Sequence, residues 1–147
     1  MNQEKILQMQ IIEQEFNQFS QQLELIEQNI LEMQELRRSL AEVDKDESKE
    51  ILASLGRGIY IPVEIKDKKL IVEIGKKNLI KKTIPETINL IEEQITKLGI
   101  GKESIRRKLE DLQAEIENIA NEDKKNILEH KHSHDSECGH NHDKERE

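Results

Sequence analysis

Residues 51–83 read ILASLGRGIYIPVEIKDKKLIVEIGKKNLIKKT, and the period of this stretch decides the fold. Ile59, Ile61, Val63 and Ile65 alternate with Tyr60, Pro62 and Glu64. After the polar break Lys66-Asp67-Lys68, Leu70, Val72 and Ile74 alternate with Ile71 and Glu73. A period of two among β-branched residues is the mark of a strand. Gly56 and Gly58, either side of Arg57, mark one turn, and GKKN over 75–78 marks a second. The spacing predicts two hairpins, 51–54 with 59–65 and 69–74 with 79–83. Pro62 has no N–H to give a ladder, so its strand is expected at an edge or a bulge.

Outward from this stretch the period changes to three and four. Upstream the apolar positions are Met9, Ile12, Phe16, Phe19, Leu23, Ile26, Ile30 and Met33, with Leu40 one heptad further on. Downstream they are Ile84, Ile88, Ile91, Ile95 and Leu98, then Ile105, Leu109, Leu112, Ile116 and Ile119 after a gap at Lys102. Such spacing lines apolar side chains along one stripe of a helix, at 3.5 residues per repeat. The first helix contains no Gly or Pro and is dense in Gln, Glu and Leu, which are good helix formers. At 1.5 Å per residue it spans about 55–60 Å. Residues 43–50 (VDKDESKE) read as a charged connector. Thr83 is placed to cap the second helix, with Pro85 in its first turn, where a missing N–H costs little. That helix is expected to run to about Asn126. Gly99 and Gly101 each weaken it by roughly 1 kcal/mol. The heptad phase does not slip across them, which favours one softened helix over two.

The expected organisation is a coiled-coil helix over 3–42, a double hairpin over 51–83, a second coiled-coil helix over 84–128 and a disordered His-rich tail over 130–147. The fold class is mainly α with small β, a long antiparallel two-helix coiled coil with two hairpins at one end. Burying each seam residue contributes roughly 1.5–3 kcal/mol, so neither stripe is expected to stay in water. Helices joined by a short β segment pair within the chain only if antiparallel. Parallel homodimers through each helix are the rival arrangement, and these would splay the hairpins.

Isolated hairpins are marginal in water. These carry Ile59, Ile61, Val63, Ile65, Leu70, Val72 and Ile74, more apolar surface than a thin coil can cover. The expectation is an obligate oligomer, assembled through those residues into a shared β body. A four-stranded sheet capping the coil of a monomer is the alternative.

Composition agrees with a thin molecule. Of 147 residues, 34% are hydrophobic, 2% are aromatic and 37% are charged, where an average domain has roughly 25% charged. A net charge of −8 disfavours nucleic acid, which needs a basic surface and, for single strands, aromatic stacking. Lys76, Lys77, Lys81 and Lys82 form a local basic cluster, read first as charge that protects strand edges. There is one cysteine, so no intrachain disulfide is expected. No signal-peptide-like start and no bilayer-length apolar run is present, which points to a cytoplasmic protein and no membrane partner.

The run from Leu55 to Ile65, LGRGIYIPVEI, resembles the hairpin signature of the prefoldin alpha subunit. The run KLIVEIGKKNLIKKTIPETINLIEEQI, Lys69 to Ile95, continues the likeness through strand, glycine turn, strand and helix. The similarity covers about Gln8 to Asn121, and two hairpins resemble the alpha class, in the form of the archaeal members. The resemblance implies a cytosolic, ATP-independent holdase of two alpha and four beta subunits, a heterohexamer. Its hairpins would form a double β-barrel body, and unfolded client proteins would be held between coiled-coil tips and passed to a group II chaperonin. In this sequence the candidate client contacts are the apolar residues Ile6, Leu7, Ile11, Ile127 and Leu128 near the helix ends, of which Leu7, Ile11 and Leu128 fall outside a strict seam. Met9, Ile12 and Ile119 read as ordinary packing in the same turns.

No catalytic machinery is legible. GIGKES over 99–104 resembles a phosphate loop, but Thr96 stands where its first glycine belongs and Glu103 where a magnesium-binding hydroxyl belongs. The carboxylates sit on solvated helix faces with no pocket to raise a pKa. No enzyme activity and no cofactor are expected. The alternative function is a structural scaffold or transcription-associated interaction module of the same fold. One cluster stands apart: His130, His132, His134, Cys138, His140 and His142 fall within thirteen residues. Imidazole and thiolate suit zinc, nickel or copper, although the paired Cys-x-x-Cys of structural zinc sites is absent. These six are the candidate metal ligands; the first reading is a low-complexity, weakly metal-binding tail, with a physiological metal site and a passive solubilising tail as the alternatives.

Overall fold

A computed structural model describes residues 2–132. Six elements follow one another: α1 (Gln3–Lys45), β1 (Glu50–Gly56), β2 (Ile59–Glu64), β3 (Lys69–Glu73), β4 (Leu79–Thr83) and α2 (Ile84–His132). The described chain divides into two compact units. One holds the residues up to Gln21 with those from Arg106 onward, and the other holds Gln22–Ile105.

The first unit pairs the start of α1 with the end of α2. Asn2 caps α1, its Oδ1 accepting from the Lys5 amide at 2.9 Å. Ile12, Leu112 and Ile119 are buried, with Met9, Phe16, Phe19 and Ile116 packed around them. All seven are seam positions read from the 3.5-residue period. The pairing is antiparallel: Lys5 Nζ lies 3.2 Å from a Glu122 carboxylate oxygen, while Lys108 Nζ sits 4.9 Å over the Phe19 ring.

The second unit holds the rest of both helices and all four strands. Its helices are also antiparallel, with Glu27 meeting Lys102 at 3.4 Å and Arg37 meeting Glu92 at 3.7 Å. Lys102, the gap in the downstream seam, is thus matched by a carboxylate on α1. Gly101 is helical, and a Cβ there would lie 3.9 Å from Ile26 Cδ1; at Gly99 it would meet open space. α2 passes through both glycines unbroken. Its start is a reciprocal capping box: Thr83 Oγ1 accepts from the Glu86 amide at 3.3 Å, and a Glu86 carboxylate oxygen accepts from the Thr83 amide at 3.4 Å. Ile84 behind the cap is 1% exposed.

Two helix ends lie beyond the places read from sequence. α1 continues to Lys45, whose charge in the last turn complements the helix dipole. α2 continues to His132, past both Asn126 and Leu128. The seam ends at Ile119, but residues 120–132 contain no Gly or Pro to stop a helix already nucleated. His130–His132 therefore belong to α2 and not to a disordered tail.

The strands form two separate two-stranded sheets and no four-stranded cap. β1 and β2 pair antiparallel, with Ile51 opposite Val63, Leu52 opposite Pro62, Ala53 opposite Ile61 and Ser54 opposite Tyr60. The register shifts between Ser54 and Gly56, which leaves Leu55 as the extra residue of a bulge. Arg57 and Gly58 make the turn, both with positive φ (52° and 76°). β3 and β4 pair Leu70 with Lys82, Ile71 with Lys81, Val72 with Ile80 and Glu73 with Leu79. In their turn the Asn78 amide donates to the Gly75 carbonyl at 3.0 Å, and the central Lys76 and Lys77 both have positive φ (44° and 63°). The link between hairpins is fixed to α1, because Lys68 Nζ donates to the carbonyls of Asp44 (2.6 Å) and Asp46 (3.1 Å) at the helix end.

Candidate functional site

Directly opposed residues in an antiparallel ladder share a face, so the register sorts each hairpin into two faces. In the first hairpin one face carries Ile51, Ala53, Ile61 and Val63, and the other carries Leu52, Ser54, Tyr60 and Pro62. In the second, one face carries Leu70, Val72, Ile80 and Lys82, and the other Ile71, Leu79, Lys81 and Glu73. The first face of each hairpin is mostly half-buried. The second face is open: Leu52 is 66% exposed, Ile71 67% and Leu79 65%.

Of the seven residues singled out for assembly, Val63, Ile65, Leu70 and Val72 are half-buried, and Ile59, Ile61 and Ile74 are exposed. The alternation picks out one parity only. Leu52, Leu55, Ile71 and Leu79, on the other parity or at the bulge, expose as much apolar surface. The signal that finds them is the shortage of partners. A two-stranded ladder with no further strand beside it cannot shield both faces, so every large apolar residue in it is a candidate contact.

The second surface lies in the unit that holds both helix ends. Leu7 and Ile11 are four residues apart and share the face of α1 turned away from Met9, Ile12 and Phe16. They are 59% and 51% exposed, and Ile6 beside them is also exposed. On α2, Ile127 and Leu128 are exposed. Ile127 reaches α1, sharing a shallow cleft with Asn2, Lys5, Asp123, Asn126 and His130. Leu128 lies one residue round the helix from that cleft. Met9, Ile12 and Ile119 are packed in the seam.

Among the candidate metal ligands, His130 and His132 are in the last turn of α2. His134, Cys138, His140 and His142 lie outside the described residues. Among the described residues no three His, Cys, Asp or Glu side chains come together as a metal-binding group. No described helix is long and apolar enough to cross a membrane.

Comparison with known proteins points to one family. The family profile described as Prefoldin subunit matches residues 12–126. The prefoldin subunit alpha of Archaeoglobus fulgidus is 30% identical over 125 residues, covering 82% of this chain and 89% of that protein. The prefoldin subunit alpha of Nitrosopumilus maritimus is 29% identical over 111 residues, covering 75% and 77%. Among solved structures, a cryo-EM structure of filamentous PFD from Methanocaldococcus jannaschii matches at 20% identity with a TM-score of 0.45, over 80% of this chain and 93% of that one.

Proposed function

The chain belongs to the prefoldin family, as a subunit of the alpha kind, and from that premise we propose that it is the alpha subunit of an ATP-independent, cytoplasmic holdase. Two copies join four beta subunits through their hairpins in a β-barrel body. Unfolded clients are held at the helix ends and released to a group II chaperonin. The work is binding, with no bond made or broken.

The observation that carries this reading is the set of large apolar side chains left in water where the helices end. Ile6, Leu7, Ile11, Ile127 and Leu128 are all exposed in a unit whose own seam is filled. An unfolded chain presents scattered apolar surface, and covering it here releases roughly 25 cal/mol per Å². Each contact is small and non-directional, so binding is broad and reversible, as a holdase requires. The exposed hairpin faces supply the second part, surface that further strands must cover.

The test uses the chain co-assembled with a beta-type subunit. Light scattering follows the aggregation of a diluted, denatured client. Wild type suppresses scattering, and a Leu7→Ser, Ile11→Ser, Leu128→Ser variant loses most of that suppression while keeping native mass and helicity. Full suppression by the variant overturns the assignment of these residues. No suppression by the wild-type assembly overturns the holdase in favour of a scaffold.

A further inference from the structure

The second hairpin is the cationic part of an acidic chain. Residues 66–82 hold seven lysines against two acidic residues, Asp67 and Glu73, while the whole chain carries a net charge of −8. The first hairpin has Arg57 and no lysine, so a hairpin of this chain does not need such charge to form. Resting on the hairpin-mediated assembly above, we propose that the open face and turn of β3–β4 receive a strand rich in Asp and Glu from the partner subunit. This charge pairing steers the two chains together.

The register places the cations. Lys69 and Ile71 on β3 share the open face with Leu79 and Lys81 on β4, and Ile71 lies directly opposite Lys81. Lys76 and Lys77 form the turn beyond them. All four lysines are exposed, and among the described residues none of the four is ion-paired. Lys68 differs, because its ammonium is taken up by the Asp44 and Asp46 carbonyls. The outer edge of β4 pairs with no described strand. A strand laid along that edge sets two of its side chains, two residues apart, opposite Leu79 and Lys81. An apolar residue at the first place and a carboxylate at the second pair favourably, whereas a cation at the second is repelled.

The turn supplies an independent observation. Lys76 and Lys77 have φ of 44° and 63°, the left-handed region that favours Gly and Asn. Lysine there costs backbone free energy, and neither ammonium recovers it through an ion pair among the described residues. The charge is therefore directed outside the chain. Lysines on strands guard exposed edges against aggregation, which accounts for Lys69 and Lys81 but not for two in a turn. Nucleic acid fits less well, because this hairpin has no aromatic side chain on which a base could stack. Opposite charge across an interface acts first on the encounter, and raises the on-rate about 10–10³-fold at low salt. The apolar Ile71 and Leu79 then hold what the lysines attract.

The test mixes the full-length chain with a dye-labelled beta-type subunit from the same genome and follows association by stopped-flow anisotropy. Sodium chloride is raised from about 20 mM to about 500 mM, which shortens the screening length several-fold. The association rate constant is expected to fall at least about tenfold over that range. At low salt a Lys76→Gln, Lys77→Gln, Lys81→Gln variant associates at least about tenfold more slowly than wild type. A Lys76→Glu, Lys77→Glu, Lys81→Glu variant is slower still. Both keep the helical circular dichroism, and all three chains converge at high salt. Rates that ignore both salt and the lysines, in an assembly that still forms, overturn the acidic strand and leave the assembly standing. No assembly at any salt overturns both. Self-association of the lone Gln variant, with its assembly rate unchanged, overturns steering in favour of edge protection. A single-stranded oligonucleotide that binds these lysines more tightly than the beta-type subunit does overturns the acidic strand in favour of nucleic acid.

Discussion

The helix-end unit and the hairpins treat their apolar residues in opposite ways. In the former, Ile12, Leu112 and Ile119 are buried by side chains of the same chain. In the latter, Leu52, Ile71 and Leu79 face water, although each is paired across a regular ladder. Backbone order is reached in both; full side-chain burial is reached only in the helix seam. The difference separates what the chain settles alone from what it leaves for others. Helices need one neighbour to cover one stripe, whereas a two-stranded ladder needs a layer on each face and a strand at each edge.

The sharpest way to break this contrast is to damage the self-sufficient side. Ile12→Ala leaves a cavity in the seam and is expected to destabilise the chain by about 2–5 kcal/mol, read from urea unfolding. A loss well below that range would mean that this seam is no better packed than the hairpins. The next largest effect is expected on association. Ile71→Lys with Leu79→Lys places charge on the open face of the second hairpin, where burial of each side chain contributes roughly 1.5–3 kcal/mol. Native mass should fall to that of the lone chain, with the helical circular dichroism unchanged. An unaltered assembly would show that this face stays in water.

How much is legible in the sequence follows the same line. The seam can be read because burial on one side imposes a period, and Met9, Ile12, Phe16 and Phe19 obey it. The hairpins can be located from GRG and GKKN, but their exposed faces cannot. Leu70 and Val72 do lie on the half-buried face, but Ile74 is exposed, and the alternation says nothing of Ile71 and Leu79, which the open face leaves in water. The far end of α2 escapes the period, because the seam stops at Ile119 while the helix runs on for want of a stop signal. Lys68 gives no signal at all, since its partners are the carbonyls of Asp44 and Asp46, and any residue type offers a carbonyl.

A smaller effect refines the contrast within the ladders. Both central residues of the second turn have positive φ, yet both are lysine, which lacks the tolerance of Asn or Gly for that region. Replacing Lys76 by Asn and Lys77 by Gly should stabilise the hairpin by about 1–2 kcal/mol. Slower amide hydrogen exchange across β3 and β4 would show it. Unchanged exchange would mean that the turn conformation carries no strain.

The grip of Lys68 on the end of α1 bears on how fast partners can be recruited. A free linker would let the second hairpin sample many directions, and every incoming strand would have to freeze them out. With the ammonium moored to two carbonyls, much of that freedom is surrendered while the chain is still alone. In the proposed assembly the second hairpin then arrives already aimed, and less of the attraction between subunits is consumed in orienting it.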